Sequence, residues 1–231
     1  IDNKTVNYIA GQFAFFDIGE VYNDPKGPIR HFTISSSPTE NFIMFSTRIR
    51  DSPYKKRLVT LEKDVKVKVR GPEGQFVLHQ DYTKPAIFLS GGIGVTPFRS
   101  MIKYATDMQL PVKIIMFDSN KDRNNILFKK EFDEWASINK NLKIIYTISE
   151  KDQNDKQSPL SSSTTATDDW KGEYGRINKA MILKYADTNV LTNSIFYICG
   201  PPGMLKAMQA LLQEDLEIPK ERIKVEEFVG Y

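Results

Sequence analysis

The amino-acid sequence predicts two domains: an N-terminal antiparallel β-barrel over residues 1–82 and a C-terminal α/β domain over residues 83–231, whose parallel sheet carries helices on both faces. Strand signals are dense and helix signals sparse between Tyr8 and Leu78. From Ala86 onward, strands and amphipathic stretches alternate, which is typical of a parallel sheet covered by helices. The boundary is expected near Asp81–Pro85.

Short apolar runs bounded by Gly, Pro, Asn or Ser mark the strands of the first domain. The predicted strands are Phe13–Phe16, His31–Ile34, Phe42–Phe45 and Val65–Val69. One helix is expected over Tyr54–Leu61, because Asp51-Ser52-Pro53 supplies a cap and a first turn.

Four strands and four helices are expected in the second domain. The strands are Ala86–Leu89, Val112–Phe117, Leu142–Ile148 and Ile195–Ile198; the helices lie near Arg99–Met108, Ile126–Ser137, Lys179–Tyr185 and Met204–Leu212. The polar residues 150–170 are expected to form a mobile surface loop, either a disordered insertion or a lid over a cofactor.

Composition excludes several classes of protein. The formal net charge is +3, with basic and acidic residues interspersed, so no nucleic-acid partner is expected. One cysteine and two histidines argue against disulfides, four-thiolate iron–sulfur clusters and a transition-metal site. No membrane span and no signal peptide are expected, which favours a soluble, cytoplasmic protein. The chain begins at Ile1, so we expect either that its amino terminus was processed or that the sequence starts within a longer protein.

A glycine-rich turn follows the first strand of the second domain. Gly91, Gly92 and Gly94 directly precede Thr96-Pro97, which is typical of a helix start. Glycines let the backbone approach a phosphate, and the amino end of the helix attracts its charge. The pattern therefore predicts a diphosphate site; the alternative is a tight strand-to-helix turn of any doubly wound domain.

Two basic stretches of the first domain suggest further ligand contacts. Arg30, Phe32 and Thr33 follow one another on one predicted strand, so an arginine fork, a flat ring and a hydroxyl lie close together. Alternation puts Arg30 and Phe32 on one face and Thr33 on the other, unless the strand is bulged or twisted there. The segment from Ser52 to Arg57 is a positively charged helix start. The alternatives are an ordinary barrel strand with a surface arginine and a core phenylalanine, and a solvated helix face.

Cys199 ends a strand and is followed by Gly-Pro-Pro-Gly and a helix, so it lies at the carboxyl edge of the sheet, where ligands bind. The alternative is a small buried hydrophobe. In the carboxyl terminus, a final strand would present Glu226 and Phe228 on one face; its alternative is an edge strand with solvent-facing glutamates.

Together these stretches resemble the ferredoxin–NADP reductase superfamily over essentially the whole chain. Arg30–Thr33 matches its R-x-Y-S motif, Gly71–Phe76 its G-P-x-G-x-F, Gly91–Pro97 its G-G-x-G-x-T-P and Cys199–Pro202 its C-G-P-P. Phenylalanine and threonine replace the usual tyrosine and serine of the first motif. Only ten residues precede Gly11-Gln12-Phe13, where the family carries one or two more strands, so the barrel is open or upstream sequence is missing.

The resemblance implies FAD and NADPH or NADH as cofactors. It implies that Arg30 and Ser52 hold the FAD diphosphate, Phe32 lies against the isoalloxazine, and Thr33 bonds near flavin N5. Ser52 and Lys55 are expected to lie where a second phosphate and adenosine extend. The implied cofactor-binding residues are Arg30, Phe32, Thr33, Ser35, Ser52, Tyr54, Lys55, Phe228, Gly91, Gly92, Gly94, Thr96, Pro97, Ser119, Asn120, Arg176, Cys199, Gly200, Pro201 and Met204. The implied catalytic residues are Cys199, Thr33 and Glu226, without a metal.

The expected function is hydride transfer from NAD(P)H to FAD, followed by release of single electrons to a separate acceptor. The acceptor is a ferredoxin, a flavodoxin, an oxygenase component or a ferric chelate, and the sequence selects none. The alternative is a non-catalytic flavin- and nucleotide-binding regulatory or electron-transfer subunit. Lys121, Arg123 and Arg176 would pair with a 2′-phosphate, whereas Asp118 would repel it if it points inward; this balance favours NADPH.

Overall fold

The computed structural model describes residues 7–149 and 170–227. In its first domain, strands β1 (Phe13–Asp17), β2 (Ile29–Thr33) and β3 (Lys68–Glu73) form an antiparallel sheet in the order β2-β1-β3, and helix α1 spans Pro53–Val59. Three strands of the described chain make an antiparallel sheet and not a closed barrel. No helix or strand lies between Glu73 and Ala86, so a boundary at residue 82 stays a prediction.

One predicted strand of this domain is wrong and a second is wrong in part. Phe42–Phe45 forms no strand, because the Met44 carbonyl accepts the backbone amides of Ser35 and Ser36 instead of a ladder. The Val65–Val69 run enters a strand only at Lys68. The helix begins where Ser52 was expected to cap it, since the Ser52 hydroxyl accepts the Lys55 amide, but it ends earlier than predicted.

A small apolar core holds the first domain together. Alternation along β1 points Ala14 and Phe16 inward, where they meet Phe32 and Tyr54. The Tyr54 hydroxyl donates to the Phe16 carbonyl at 3.1 Å, so burying this tyrosine leaves no polar atom unpaired. Helix α1 is thereby fixed against β1.

The second domain has the predicted parallel sheet. Its strands are β4 (Ala86–Gly91), β5 (Ile114–Asn120), β6 (Leu142–Ile148), β7 (Glu173–Tyr174), β8 (Ile195–Gly200) and β9 (Ile223–Glu227), in the order β7-β6-β5-β4-β8-β9. The helices are α2 (Thr96–Asp107), α3 (Lys129–Ile138), α4 (Lys179–Tyr185), α5 (Thr188–Asn193) and α6 (Pro202–Ala210), with a π-helical turn over Leu211–Asp215. Strand β7 and helix α5 were not predicted from the sequence.

Separate apolar clusters cover the two faces of this sheet. Phe88, Met116 and Tyr197 pack against α2 and α3, whereas Ile87, Phe117 and Phe196 pack against α4 and α6. Strand β4 is buried along its whole length, as expected for the centre of a parallel sheet. The predicted fold class, two domains with helices on both faces of the second sheet, is confirmed.

Within the part of the chain that the structure describes, no helix is long and apolar enough to cross a membrane. The polar segment predicted as a mobile loop lies outside the described residues, apart from Trp170, and so does Phe228.

Candidate nucleotide and flavin site

The glycine turn brings three chain segments into close contact. Strand β4 ends at Gly91, a single 3₁₀ turn covers Gly92–Val95, and α2 begins at Thr96. A Cβ on Gly94 would lie 2.3 Å from the Cys199 carbonyl oxygen, and one on Gly91 would lie 2.2 Å from Met204 Sδ. Gly94 therefore permits close packing of the turn against the end of β8. For this glycine the structure supports the alternative interpretation, a tight strand-to-helix turn.

A cavity of about 470 Å³ opens beside the turn, at the carboxyl edge of the parallel sheet. It is where a ligand of such a sheet is expected. Residues from the predicted set that line it are Gly91, Gly92, Ser119, Asn120, Arg176, Pro201 and Met204. Further lining residues are Lys121, Ser149, Ile177, Gly203, Ala207 and Met208. Ser149 directly follows β6, so the carboxyl-edge rule alone could have found it.

Other predicted nucleotide contacts lie behind the cavity wall. Thr96 is buried and its hydroxyl donates to the Ile93 carbonyl at 3.2 Å, while Pro97 is buried in the first turn of α2. Gly200 is packed against Gly91, at the end of β8. These residues shape the turn; the structure does not place them among the residues that line the cavity.

The polar groups of the cavity suit a nucleotide diphosphate. Lys121 and Arg176 supply positive charge at the lining. Asn120 is almost wholly buried, and its Oδ1 has no hydrogen-bond partner within residues 7–149 and 170–227. A ribose hydroxyl would satisfy such an acceptor. The positive charge of the lining and the unpaired acceptor of Asn120 both fit a nicotinamide nucleotide here.

Arg48 of the first domain also reaches the glycine turn, a contact that was not predicted from the sequence. A Cβ on Gly92 would lie 3.2 Å from Arg48 Nη2, and Arg48 Nη1 donates to Asn125 Oδ1 at 3.1 Å. A long-range contact of this kind leaves no local signal in the sequence. Arg123, by contrast, lies over the Trp170 ring at 5.4 Å and does not line the cavity.

Asp118 is not among the residues that line the nucleotide cavity. Its side chain is completely buried, and its Oδ2 accepts from Asn120 Nδ2 at 2.8 Å. Burial raises the pKa of Asp118 to about 7, although the Ser90 hydroxyl and the Asn120 amide partly oppose the shift. Asp118 could repel a 2′-phosphate only if its side chain pointed into the nucleotide cavity. Because it does not line that cavity, Asp118 gives no reason to disfavour NADPH.

Cys199 and Glu226 are neighbours across β8 and β9, whose register pairs them directly. Cys199 is completely buried; burial and the nearby Glu226 raise the pKa of its thiol well above the ordinary value. Burial also raises the pKa of Glu226, which is half-buried. A neutral thiol is a poor nucleophile, so this environment supports a packing or positioning role for Cys199.

Arg30 is buried in the first domain, so the alternative interpretation of Arg30 as a surface arginine is wrong. Its Nη2 pairs with Asp24 Oδ1 at 2.7 Å, and its Nη1 donates to the carbonyls of Lys26, Gly27 and Ile29. Burial opposes ionisation of Asp24, but hydrogen bonds from two backbone amides and from Arg30 hold its pKa below the usual value. Asp24 was missed in the sequence, where nothing local links it to Arg30.

The Phe32 ring is covered by Phe45 and Lys55, among other neighbours. The Phe45 ring stacks on it with centroids 4.5 Å apart and planes 8° apart, and Lys55 Nζ lies 4.6 Å from the ring centroid. Lys55 is buried and bonds to Thr47 Oγ1; burial, with Arg30 and Arg50 nearby, lowers its pKa to about 8. Lys55 thus lies over the predicted flavin-contacting ring, and its expected place beside a second phosphate and adenosine stays a prediction.

The remaining predicted flavin residues converge on the same strand and helix start. Thr33 ends β2, and the buried Ser35 donates to the Met44 carbonyl at 3.1 Å. Ser52 caps α1, and the ring of Tyr54 lies 4.9 Å from the Arg30 guanidinium carbon. An arginine, an aromatic ring, hydroxyls and a lysine suit a flavin nucleotide, but internal contacts occupy Arg30 and Phe32, and flavin would have to replace them.

Comparisons with known proteins agree with this geometry. Residues 88–210 match the family described as oxidoreductase NAD-binding domain. Flavohemoprotein A of Dictyostelium discoideum is 26% identical over 98% of this chain and 54% of its own length. One component of the Na(+)-translocating NADH-quinone reductase of Marinomonas sp. is 28% identical over 87% of this chain and 49% of its own. The chain spans about half the length of these curated relatives.

Solved structures show the same fold. The FAD/NAD-binding domain of nitric oxide dioxygenase from Vibrio cholerae superposes with a TM-score of 0.74 at 18% identity, over 96% of this chain and 86% of that one. Ferredoxin-NADP+ reductase from Plasmodium falciparum gives 0.68 at 19% identity, over 96% and 84%.

The fold and the cavity define a two-domain protein whose second domain carries a candidate nucleotide site at the carboxyl edge of its parallel sheet. The chain belongs to the oxidoreductase NAD-binding domain family, and it shares its fold with the nitric oxide dioxygenase domain and the ferredoxin-NADP+ reductase described above. The resemblance stated from the sequence motifs is confirmed by this family for the nucleotide-binding domain and by the shared fold for both domains.

Proposed function

We propose that this chain takes hydride from NADPH or NADH onto bound FAD and passes the electrons singly to a separate acceptor. The cavity beside Gly91 and Gly92 carries the proposal, because it combines a glycine turn, basic side chains and a buried amide acceptor at the carboxyl edge of a parallel sheet. FAD supplies the conversion of a two-electron to a one-electron reaction, which no side chain here performs.

The chain's own residues would bind and orient the two cofactors. Lys121 and Arg176 would hold the nucleotide's phosphates, and Gly91 and Gly92 would let the backbone approach them. Arg48 would add a positive charge from the first domain at the same turn. Both nicotinamide nucleotides carry the diphosphate, and the 2′-phosphate that only NADPH carries would give Lys121 and Arg176 a further contact.

On the flavin side, Arg30 would bind a phosphate in place of the carbonyls to which it now donates. Phe32 would contact the isoalloxazine in place of the Phe45 ring that now stacks on it. Thr33 is close by at the end of β2. Cys199 and Glu226 do not line the cavity. They would border the nicotinamide after the groups that cover the buried thiol move aside, and the neutral thiol would then allow close approach of two flat rings. Phe228, which the resemblance places with Glu226, lies outside the described residues.

Anaerobic mixing of FAD-loaded protein with NADPH or with NADH tests the proposal. Bleaching of the flavin absorbance by either nucleotide is expected, and the faster of the two identifies the donor. Flavin and nucleotide binding without bleaching would instead support the non-catalytic subunit. Parallel assays with a ferredoxin, a flavodoxin and a ferric chelate then distinguish the acceptors.

A further inference from the structure

Arg99, on α2, lies at the boundary between the two domains and is almost wholly buried. Its Nη1 and Nη2 donate to the two carboxylate oxygens of Glu40 at 2.9 and 3.1 Å, and its Nη2 donates to Glu131 Oε1 at 2.5 Å. Its Nη1 also donates to the Ser35 carbonyl at 2.9 Å. Glu40 and Ser35 belong to the first domain and Glu131 to α3 of the second, so one guanidinium connects both.

Further contacts on the same face of α2 hold the same segment, residues 35–40, here named the coupling loop. The Ser100 hydroxyl donates to the Ser36 carbonyl at 2.6 Å. Two turns beyond Arg99, Asp107 accepts from the Thr39 hydroxyl. These contacts extend along the helix, so the coupling loop is fixed in direction as well as in distance.

The coupling loop is also anchored within its own domain. The Ser35 hydroxyl donates to the Met44 carbonyl at 3.1 Å, and the Ser37 amide donates to Glu40 Oε2 at 2.7 Å. Glu40 therefore receives hydrogen bonds from both domains. A movement of Arg99 must be transmitted to the loop and cannot be absorbed by Glu40 alone.

Both attachment points lie next to the proposed redox site. The coupling loop begins two residues after Thr33, at the end of the strand that carries Phe32. Helix α2 begins at Thr96, directly after the glycine turn that lines the nucleotide cavity. We propose that Arg99 is a positioning residue that sets the separation and angle of the flavin and nicotinamide rings through Glu40 and the coupling loop; this rests on the proposed function.

The ionic contacts are suited to positioning because they are directional. Although burial opposes it, hydrogen bonds and charge from Glu40 and Glu131 raise the pKa of Arg99. Burial also opposes ionisation of Glu40, but Arg99 and the Ser37 amide hold its pKa below the usual value. Arg99 and Glu40 therefore stay charged near neutral pH. A bidentate arginine–carboxylate pair fixes orientation, which a lysine cannot reproduce.

The two carboxylates provide a matched comparison. Glu40→Gln weakens the contact between domains and leaves Glu131 to compensate Arg99, whereas Glu131→Gln weakens a contact within the second domain. The Glu40 side chain is 12% exposed and that of Glu131 is 38% exposed, so Glu40 is also the less solvated partner. Lys129→Gln breaks the exposed pair with Asp133 inside α3 and serves as the remote control.

The experiment is stopped-flow reduction of FAD-loaded protein at saturating nucleotide, with melting temperature and both cofactor dissociation constants measured on each variant. Glu40→Gln is expected to slow flavin reduction by about 10- to 100-fold, since a displacement of about 1 Å costs that order of rate. Both dissociation constants should change little. Arg99→Lys should behave likewise, and Glu131→Gln and Lys129→Gln should stay near the wild-type rate.

A second readout is the long-wavelength charge-transfer absorbance of flavin stacked with nicotinamide, which reports ring geometry without turnover. It should weaken in Glu40→Gln and Arg99→Lys and persist in Glu131→Gln. Wild-type rates and absorbance in Glu40→Gln and Arg99→Lys would overturn the inference while leaving the proposed function standing. Equal slowing in Glu40→Gln and Glu131→Gln, in proportion to lost stability, would reduce the cluster to a stabilising one. Absence of flavin reduction in the wild type would overturn the proposed function and this inference with it.

Discussion

Gly94→Ala tests the close contact between the glycine turn and the end of β8. The added Cβ would lie 2.3 Å from the Cys199 carbonyl oxygen and 2.7 Å from the Gly200 amide nitrogen, where a separation of at least 3.0 Å is needed. The obstacles are backbone atoms of the interior strand β8, so no side-chain rotation relieves them. The turn and β8 must separate by roughly 1 Å, and overpacking of this kind costs about 1–3 kcal/mol.

For a chain of this size, a loss of 1 kcal/mol lowers the melting temperature by about 2–4 °C, so Gly94→Ala should melt roughly 2–12 °C below the wild type. Differential scanning calorimetry of the FAD-loaded protein measures the difference. Gly203→Ala is the matched control: Gly203 lies on the same cavity at the start of α6, and a Cβ there would meet nothing within 4 Å. Its melting temperature should be equal or higher, because alanine favours a helix.

If Gly94→Ala melts with the wild type, the close approach of the turn to β8 is wrong, and with it the structural reason given for this glycine. If both variants lose the same stability, the effect comes from the nucleotide cavity in general and not from the contact with Cys199. Nucleotide affinity should fall in Gly94→Ala, since separation of the turn from β8 widens the wall of the cavity next to Gly91.

The remaining predictions concern single side chains around the cavity. Cys199→Ser should keep the fold and bind flavin, yet slow flavin reduction more than it weakens nucleotide binding, as measured by stopped flow; the wild-type thiol, buried and neutral, should resist iodoacetamide until the protein unfolds. Burial raises the pKa of Asp118 from 3.8 to about 7, so between these pH values the unfolded chain ionises this carboxyl and the folded protein does not. The free energy of unfolding of the wild type should therefore fall as pH rises through that range. Urea titrations at several pH values should show that Asp118→Asn loses this pH-dependent decrease. Replacing Lys121 and Arg176 together with glutamine should raise KM for NADPH more than for NADH, by about fivefold for an exposed pair, whereas Arg123→Gln, which removes a side chain outside the cavity lining, should change neither. Equal losses for both nucleotides would show that the two basic residues contact only the common diphosphate.

The second domain could be predicted well because its signals are local. Strand β6 has the predicted bounds, and α2 begins at the predicted Thr96-Pro97. A run of apolar residues, a glycine turn and a proline at a helix start each constrain their own backbone, whatever the rest of the chain does. Helix α5 was missed because its six residues, from Thr188 to Asn193, include polar residues that favour turns, and its Asp187 cap precedes few apolar positions.

The side-chain partners of the first domain could not be predicted in the same way. Arg30 matches a motif, but its pairing with Asp24 depends on the fold of a turn six residues earlier. Phe45 was predicted on a strand and instead stacks on Phe32, because the backbone near Met44 bonds to Ser35. Sequence spacing indicates which chemical groups share a strand, but not which of them satisfy one another.

The same limit explains why the role of Arg99 could not be predicted from the sequence. It lies in the helix that begins at Thr96, where its spacing from the apolar positions suggests an ordinary solvated residue, and both carboxylates that bind it are more than 30 residues away. Burying a guanidinium costs free energy unless each charge is paired, so its position is tolerated only because Glu40 and Glu131 reach it from opposite domains. Because the buried Arg99 requires a carboxylate from each domain, its stabilisation depends on how the two domains are placed relative to each other. Loss of the Glu40 partner should therefore alter the distance between Phe32 and the glycine turn before it unfolds either domain.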